Sequence, residues 1–193
     1  MKHTLLITTA LLFITSAVFP QSKVNVNSLK EYGGKAFKVD DDEPYTGRVF
    51  DLNKNTGKKT LKGQYKNGLK TGKWTEWHDN GQKRDEGIYK DGEKDGKWTQ
   101  WHWNGQKESE RTYKDGKPDG LITWWFDNGQ KREERTYKDG KRDGLHTEWY
   151  ENGQKVYEIT YKDGVVISGK CWDEDGNECE CSRYSKYQWR GCN

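Results

Sequence analysis

Tyr65, Tyr89, Tyr113, Tyr137 and Tyr161 fall 24 residues apart without drift, and a period fixed at that length is the mark of a stacked repeat architecture. Each tyrosine opens a Tyr-Lys-Asn/Asp-Gly step ending at Gly68, Gly92, Gly116, Gly140 and Gly164. Gly72, Gly96, Gly120 and Gly144 follow four residues later, then Thr75, Thr99, Thr123 and Thr147. Trp77, Trp101, Trp125 and Trp149 come next, ahead of an Asn-Gly-Gln-Lys block at Asn80, Asn104, Asn128 and Asn152. Glu86, Glu110, Glu134 and Glu158 hold the last fixed place.

Within one period, Asn-Gly and Asp-Gly between short strand-like segments are strong hairpin signals, because both tolerate the positive φ of a type I′ turn. The third copy holds two, Asp115-Gly116 and Asn128-Gly129. Segments of about 9–11 residues separate such turns, a fitting strand length, and Thr, Trp, Tyr and Ile suit strands. The expected fold is all-β: an elongated antiparallel meander, two strands per period, as a single-layer twisted sheet. A two-residue turn at Asn128-Gly129 would set Trp125 opposite Arg132 and Thr123 opposite Glu134, with Trp77 opposite Arg84 and Trp101 opposite Glu108. The tryptophan and Thr/Glu columns then share one face, while Trp124, Phe126 and Tyr137 point to the other. One period carries too few large apolar side chains to offset the entropy of ordering it, so neighbours must stack and the ends need caps.

Composition agrees. Hydrophobic residues make up 30% and charged residues 34%, which alone suggests disorder, but aromatic residues reach 13% and must pack. A net charge of +3 from 34 Lys+Arg against 31 Asp+Glu is too small and too interspersed for a nucleic-acid footprint. Met1-Lys2-His3 and the apolar run from Leu5 to Phe19, shorter than the roughly 20 residues of a membrane span, read as a signal peptide over residues 1–21. No cysteine stands near its end to carry a lipid. The expected division continues with an N-terminal cap over 22–44, a repeat domain over 45–164 and a Cys-rich cap over 165–193.

The Tyr-Lys-Asp-Gly-x-x-x-Gly-x-x-Thr-x-Trp-x-x-Asn-Gly-Gln-Lys pattern resembles the MORN-variant repeat of bacterial YwqK-family antitoxin proteins, over about residues 45–165. The resemblance implies a row of MORN-like β-hairpins with a binding or scaffolding role, and it brings no catalytic residues.

Cys171, Cys179, Cys181 and Cys192 are the only cysteines; four thiols in an exported chain suggest two disulfides. Three connectivities exist, and a Cys179–Cys181 ring would be strained. A hairpin at Asp175-Gly176 brings Cys171 near Cys179 and Cys181, leaving Cys192 to pin the tail. Trp77, Trp101, Trp125 and Trp149 would repeat at roughly 9.5 Å, twice the inter-strand spacing; they form either a stacking row for a glycan or a self-filled spine with Arg84 and Arg132 over the rings. The glutamate column reads as cross-strand Thr–Glu hydrogen bonding, since an active site needs one asymmetric pair. His78 and His102 share a place with Phe126 and Tyr150, which marks a ring-packing slot. Asp173 to Asn177 reads as a turn, for it lacks the distal glutamate of a calcium loop.

These readings give no catalytic set, no metal site and no cofactor. They point to a non-enzymatic protein-binding or scaffold module, periplasmic or secreted, that binds another protein or an envelope component, with no nucleic acid and no membrane span in the mature chain. A glycan- or peptidoglycan-binding module and an antitoxin-like inhibitor of an effector protein are the alternatives.

Overall fold

The computed structural model describes residues 23–185 and 188–192; the expected signal peptide lies outside them. Among the described residues the chain forms strands and one 3-10 turn, Val26–Ser28. The strands are β1 Lys23–Asn25, β2 Leu29–Tyr32, β3 Lys35–Lys38, β4 Gly47–Leu52, β5 Lys59–Lys66 and β6 Leu69–Trp77. There follow β7 Lys83–Lys90, β8 Glu93–Trp101, β9 Lys107–Lys114, β10 Lys117–Pro118, β11 Gly120–Trp125 and β12 Lys131–Lys138. The series ends with β13 Lys141–Trp149, β14 Lys155–Lys162, β15 Val165–Trp172, β16 Glu178–Cys179, β17 Cys181–Ser185 and β18 Gln188–Cys192. From β4 to β16 consecutive strands pair antiparallel into one 14-stranded sheet, except that β10 and β11 both pair with β9, and β1 completes the first edge, running parallel to β4. The expected all-β hairpin meander is what the chain forms.

The two turn types of each period differ, and here the structure corrects the sequence reading. Asp115 and Gly116 both have positive φ, 47° and 75°, and link Lys114 directly to its partner Lys117, a two-residue type I′ turn. At Asn128-Gly129 only the glycine is left-handed, at 86°. Phe126 donates its N–H to the Gln130 carbonyl at 2.8 Å, and Gly129 N–H returns to the Phe126 carbonyl at 3.0 Å, so Asp127, Asn128 and Gly129 make a three-residue loop. The physical reason is the Asn128 side chain. Its Oδ1 accepts the Gln130 N–H at 2.9 Å, an Asx-type bond that holds the asparagine in ordinary backbone space. The extra residue shifts the register by one, so Trp125 faces Lys131, not Arg132. Likewise Trp77 faces Lys83 and Trp101 faces Lys107, not Arg84 and Glu108. Thr123 does face Glu134. Phe126 lies past the end of β11, where it closes the loop, and not on a strand face.

The second glycine of each period has a different cause. Gly72, Gly96, Gly120 and Gly144 all sit at positive φ; on β6, β8 and β13 they lie where the strand carries extra residues against its preceding partner, and bulges of this kind bend a strand and sharpen its twist.

Neighbouring periods are bonded at both margins. At the Asp-Gly margin each turn glycine donates to a carbonyl one period back: Gly92 to Lys70, Gly116 to Lys94, Gly140 to Pro118 and Gly164 to Arg142, at 2.8–3.0 Å. At the Asn-Gly margin, asparagine side chains reach forward to the next loop: Asn80 to the Trp103 carbonyl, Asn104 to that of Asp127, Asn152 to that of Glu174.

The face bearing the repeat tyrosines is closed at both ends. At the first, the β2–β3 hairpin packs Ala36 against Tyr45, Val49, Tyr65 and Trp74. At the second, Val156, Tyr157, Ile159, Tyr161 and Cys171 are buried, with Gly191 of β18 against Val156. Between them runs an edge-to-face series, Tyr65 on Trp74 at 5.2 Å, Trp74 on Tyr89 at 5.7 Å and Tyr89 on Trp98 at 4.9 Å, the arrangement that aromatic quadrupoles favour.

Candidate functional site

The opposite face carries the tryptophan column, and each ring has a lysine above it. Lys59 lies over Trp77, Lys83 over Trp101, Lys107 over Trp125 and Lys131 over Trp149, at 5.4–5.9 Å from the ring centroids. Lys155 continues the series over Trp172 at 5.6 Å. The expected partners Arg84 and Arg132 are not on these rings: Arg84 turns to Glu76, and the longer loop sets the lysine of each Asn-Gly-Gln-Lys block opposite the indole of its own hairpin, from where it reaches over the ring of the next copy. Trp77 to Trp172 and their lysines therefore alternate in one row across the sheet. The tryptophans are half-buried. A lysine on the ring face takes the place a stacked sugar would need, so the flat aromatic platform expected for a glycan is not presented bare.

Beside this row stand the threonines and glutamates. Thr75 Oγ1 donates to Glu86 at 3.2 Å and Thr123 Oγ1 to Glu134 at 3.3 Å. Glu86 also binds Lys83 at 2.9 Å and Lys73 at 3.0 Å; Glu110 binds Lys107 and Lys97 in the same way. Burial would raise these two carboxyls, but the paired lysines outweigh it and hold both below the usual glutamate range. In the third and fourth copies Leu121 and Leu145 replace the second lysine, and both are half exposed. The face thus passes from basic and ion-paired at Lys73 and Lys97 to partly apolar at Leu121 and Leu145.

His78 and His102 do more than fill a ring slot. Each places Nε2 on the carbonyl of the next period's tryptophan, His78 on Trp101 at 2.9 Å and His102 on Trp125 at 3.1 Å. Tyr150 reaches Trp172 with its hydroxyl at 3.2 Å. Asp173 accepts backbone N–H groups from Asp175 and Asn177 and the Asn177 side chain, which holds its carboxyl below the usual range.

The tyrosine face holds a cluster that sequence reasoning passed over. Glu133 of β12 lies opposite Glu148 of β13, and Arg135 opposite His146. His146, 4% exposed, places Nε2 2.6 Å from Glu133 Oε1 and 3.2 Å from the Tyr157 hydroxyl; Arg135 also binds Glu133. Burial tends to raise the Glu133 carboxyl, yet the His146 hydrogen bond and the Arg135 charge hold it below its ordinary value. Burial lowers the His146 imidazole in spite of that neighbour. The Tyr157 phenol is pushed upward, first by burial and then by Glu148, so it stays protonated. The available signal was a break in the period: His146 stands where Trp74 and Trp98 stand three and two copies earlier.

At the end of the sheet, the loop Asp173–Asn177 sets Cys171 opposite Cys179. Cys171 is bonded to Cys181 and Cys179 to Cys192, with Cα separations of 5.2 and 5.7 Å. These bonds tie β17 and β18 to the last sheet strands, and paired cysteines of this kind point to an oxidising environment. Among the described residues, no helix is long and apolar enough to cross a membrane.

No curated protein matches the chain. Residues 70–91, 94–115, 118–139 and 142–163 each match the family model described as MORN repeat variant. Each match covers one hairpin built around an Asn-Gly loop, so four consecutive hairpins of the sheet are similar to that repeat.

Proposed function

We propose that this chain is a non-enzymatic binding or scaffold module, exported to the periplasm or the secreted space, that presents the Trp–Lys row to another protein or an envelope component. The carrying observation is that row. From Trp77 to Trp172 it crosses the sheet without a break, half-buried and, among the described residues, covered by no other element, whereas both ends of the tyrosine face are closed by terminal hairpins. Half-buried tryptophans beside lysines supply the aromatic contact area that protein interfaces favour. The change from Lys73 and Lys97 to Leu121 and Leu145 makes the two halves of the face unlike, which allows one partner orientation to be selected. The leader-like residues 1–21 and the two disulfides support export.

The test is capture from a native envelope fraction with the oxidised chain, followed by quantitative mass spectrometry. The reading requires a partner that is retained by the parent and lost, at least tenfold, by a folded Lys83→Glu/Lys107→Glu variant. Retention of the same partners by that variant, with circular dichroism unchanged, would overturn it.

A further inference from the structure

The polar cluster on β12 and β13 occurs once in four copies, and its members touch. At the equivalent places the second copy has Asp85, Trp98 and Gln100, and the third has Ser109, Ile122 and Trp124. Only the fourth brings two carboxylates and an imidazole together: one ligand atom each from Glu133, His146 and Glu148 lies within 4.8 Å of the others. Two atoms on one zinc ion, with bonds of ~2.1 Å, stand no more than ~4.2 Å apart, so closing the set needs only a small side-chain movement.

Charge is the second observation. Like charges directly opposite on neighbouring strands are unfavourable, and here they are Glu133 and Glu148. One guanidinium, Arg135, answers them, so two negative charges against one positive leave the contacting groups at −1, with Glu133 and His146 almost wholly buried. Arg142, the next cation, is directed to the Tyr161 hydroxyl at 3.0 Å. The imidazole Nε2 is where these groups converge, with Glu133 Oε1 at 2.6 Å, the Tyr157 hydroxyl at 3.2 Å and Arg135 Nε at 3.3 Å, while Nδ1 is buried with no partner.

We propose that Glu133, His146 and Glu148 form a binding site for one divalent metal ion of the zinc or manganese class. Imidazole with two carboxylates suits such borderline ions. The ion would enter beside the half-buried Glu148 and bind Glu133, His146 Nε2 and Glu148, with the Tyr157 hydroxyl at the rim. Arg135 is its resident competitor. On displacement the guanidinium keeps a place over the Trp124 ring, whose centroid is already 5.1 Å away. A divalent ion in place of Arg135 brings the local sum to zero and ties β12 to β13, two successive repeats.

The test is titration of the oxidised full chain with Co²⁺, read by visible absorption, and with Zn²⁺, read by calorimetry. The disulfides keep all four cysteines out of the ligand pool. The expected result is one ion per chain, with affinity lowered at least tenfold in both His146→Gln and Glu148→Gln. Arg135→Gln, which removes the competitor and leaves all three ligands, should bind at least tenfold more tightly than the parent. Absence of binding by both the parent and Arg135→Gln, or unchanged binding in His146→Gln or Glu148→Gln, overturns the proposal. A ligand variant that fails to fold leaves the decision with Arg135→Gln, where an affinity equal to the parent's also counts against it.

Discussion

The indole of Trp98 occupies the space in which a β-carbon on Gly87 would stand, and Trp74 stands in the same relation to Gly63. Where the glycine is replaced, the partner shrinks: Arg111 goes with Ile122 and Arg135 with His146. Gly87→Ala should therefore cost about 1–3 kcal/mol by forcing the buried ring out of its seat. Thermal unfolding of Gly87→Ala, Gly87→Arg and Gly87→Arg/Trp98→Ile checks this. The double variant, which installs the third copy's pair, should be more stable than Gly87→Arg alone.

The asparagine loops give a graded comparison. Asn104 accepts the Gln106 N–H and donates to the Asp127 carbonyl at 2.9 Å, whereas among the described residues Asn128 makes only the inward bond to Gln130. With net hydrogen-bond contributions of ~0.5–1.5 kcal/mol each, Asn104→Ala should destabilise more than Asn128→Ala by about one such bond. Chemical denaturation of the two variants side by side measures the difference.

Acid should weaken the lysine–glutamate face. Glu86 and Glu110 have folded-state values below their ordinary 4.5, so they bind protons less readily folded than unfolded. Their contribution is present in full above that value and is lost as pH falls from it through the lower folded-state values. The paired lysines are exposed, which limits each lysine pair to ~0.2–1 kcal/mol. Melting temperature should decline below about pH 5, and Glu86→Gln/Glu110→Gln should flatten the decline.

Reduction of the disulfides should act locally. The bonds close segments of 10 and 13 residues, for which the loss is about 2–4 kcal/mol. Because repeat arrays couple chiefly to nearest neighbours, amide exchange should rise in β14–β18 on adding reductant while β5–β9 keep their protection. Uniform loss of protection along the sheet would contradict this.

What could be read in advance follows from which interactions are local. The Asp-Gly turns, the Thr123–Glu134 pairing and the two-strand period depend on residues close in the chain, and the structure has them. The lysines over the indoles depended on one loop residue. The Asn128 side chain bonds the loop backbone, the turn grows by one and Lys131 replaces Arg132 opposite Trp125, from where it reaches over the Trp149 ring of the next copy. Trp172 was missed because it comes 23 residues after Trp149 rather than 24. Glu133, His146, Glu148 and Tyr157 were missed for the opposite reason: they break the period, and a search tuned to recurrence passes over departures from it.

The bonds from Gly92, Gly116, Gly140 and Gly164 to the preceding copy are the same at every junction. Gene duplication can therefore splice in or excise a whole 24-residue unit without asking any junction to invent a new backbone bond. Each unit changes the distance between the two end hairpins by about 9.6 Å, two strand spacings. Selection can thus set the reach of this molecule in discrete steps, as one sets the length of a chain by its links.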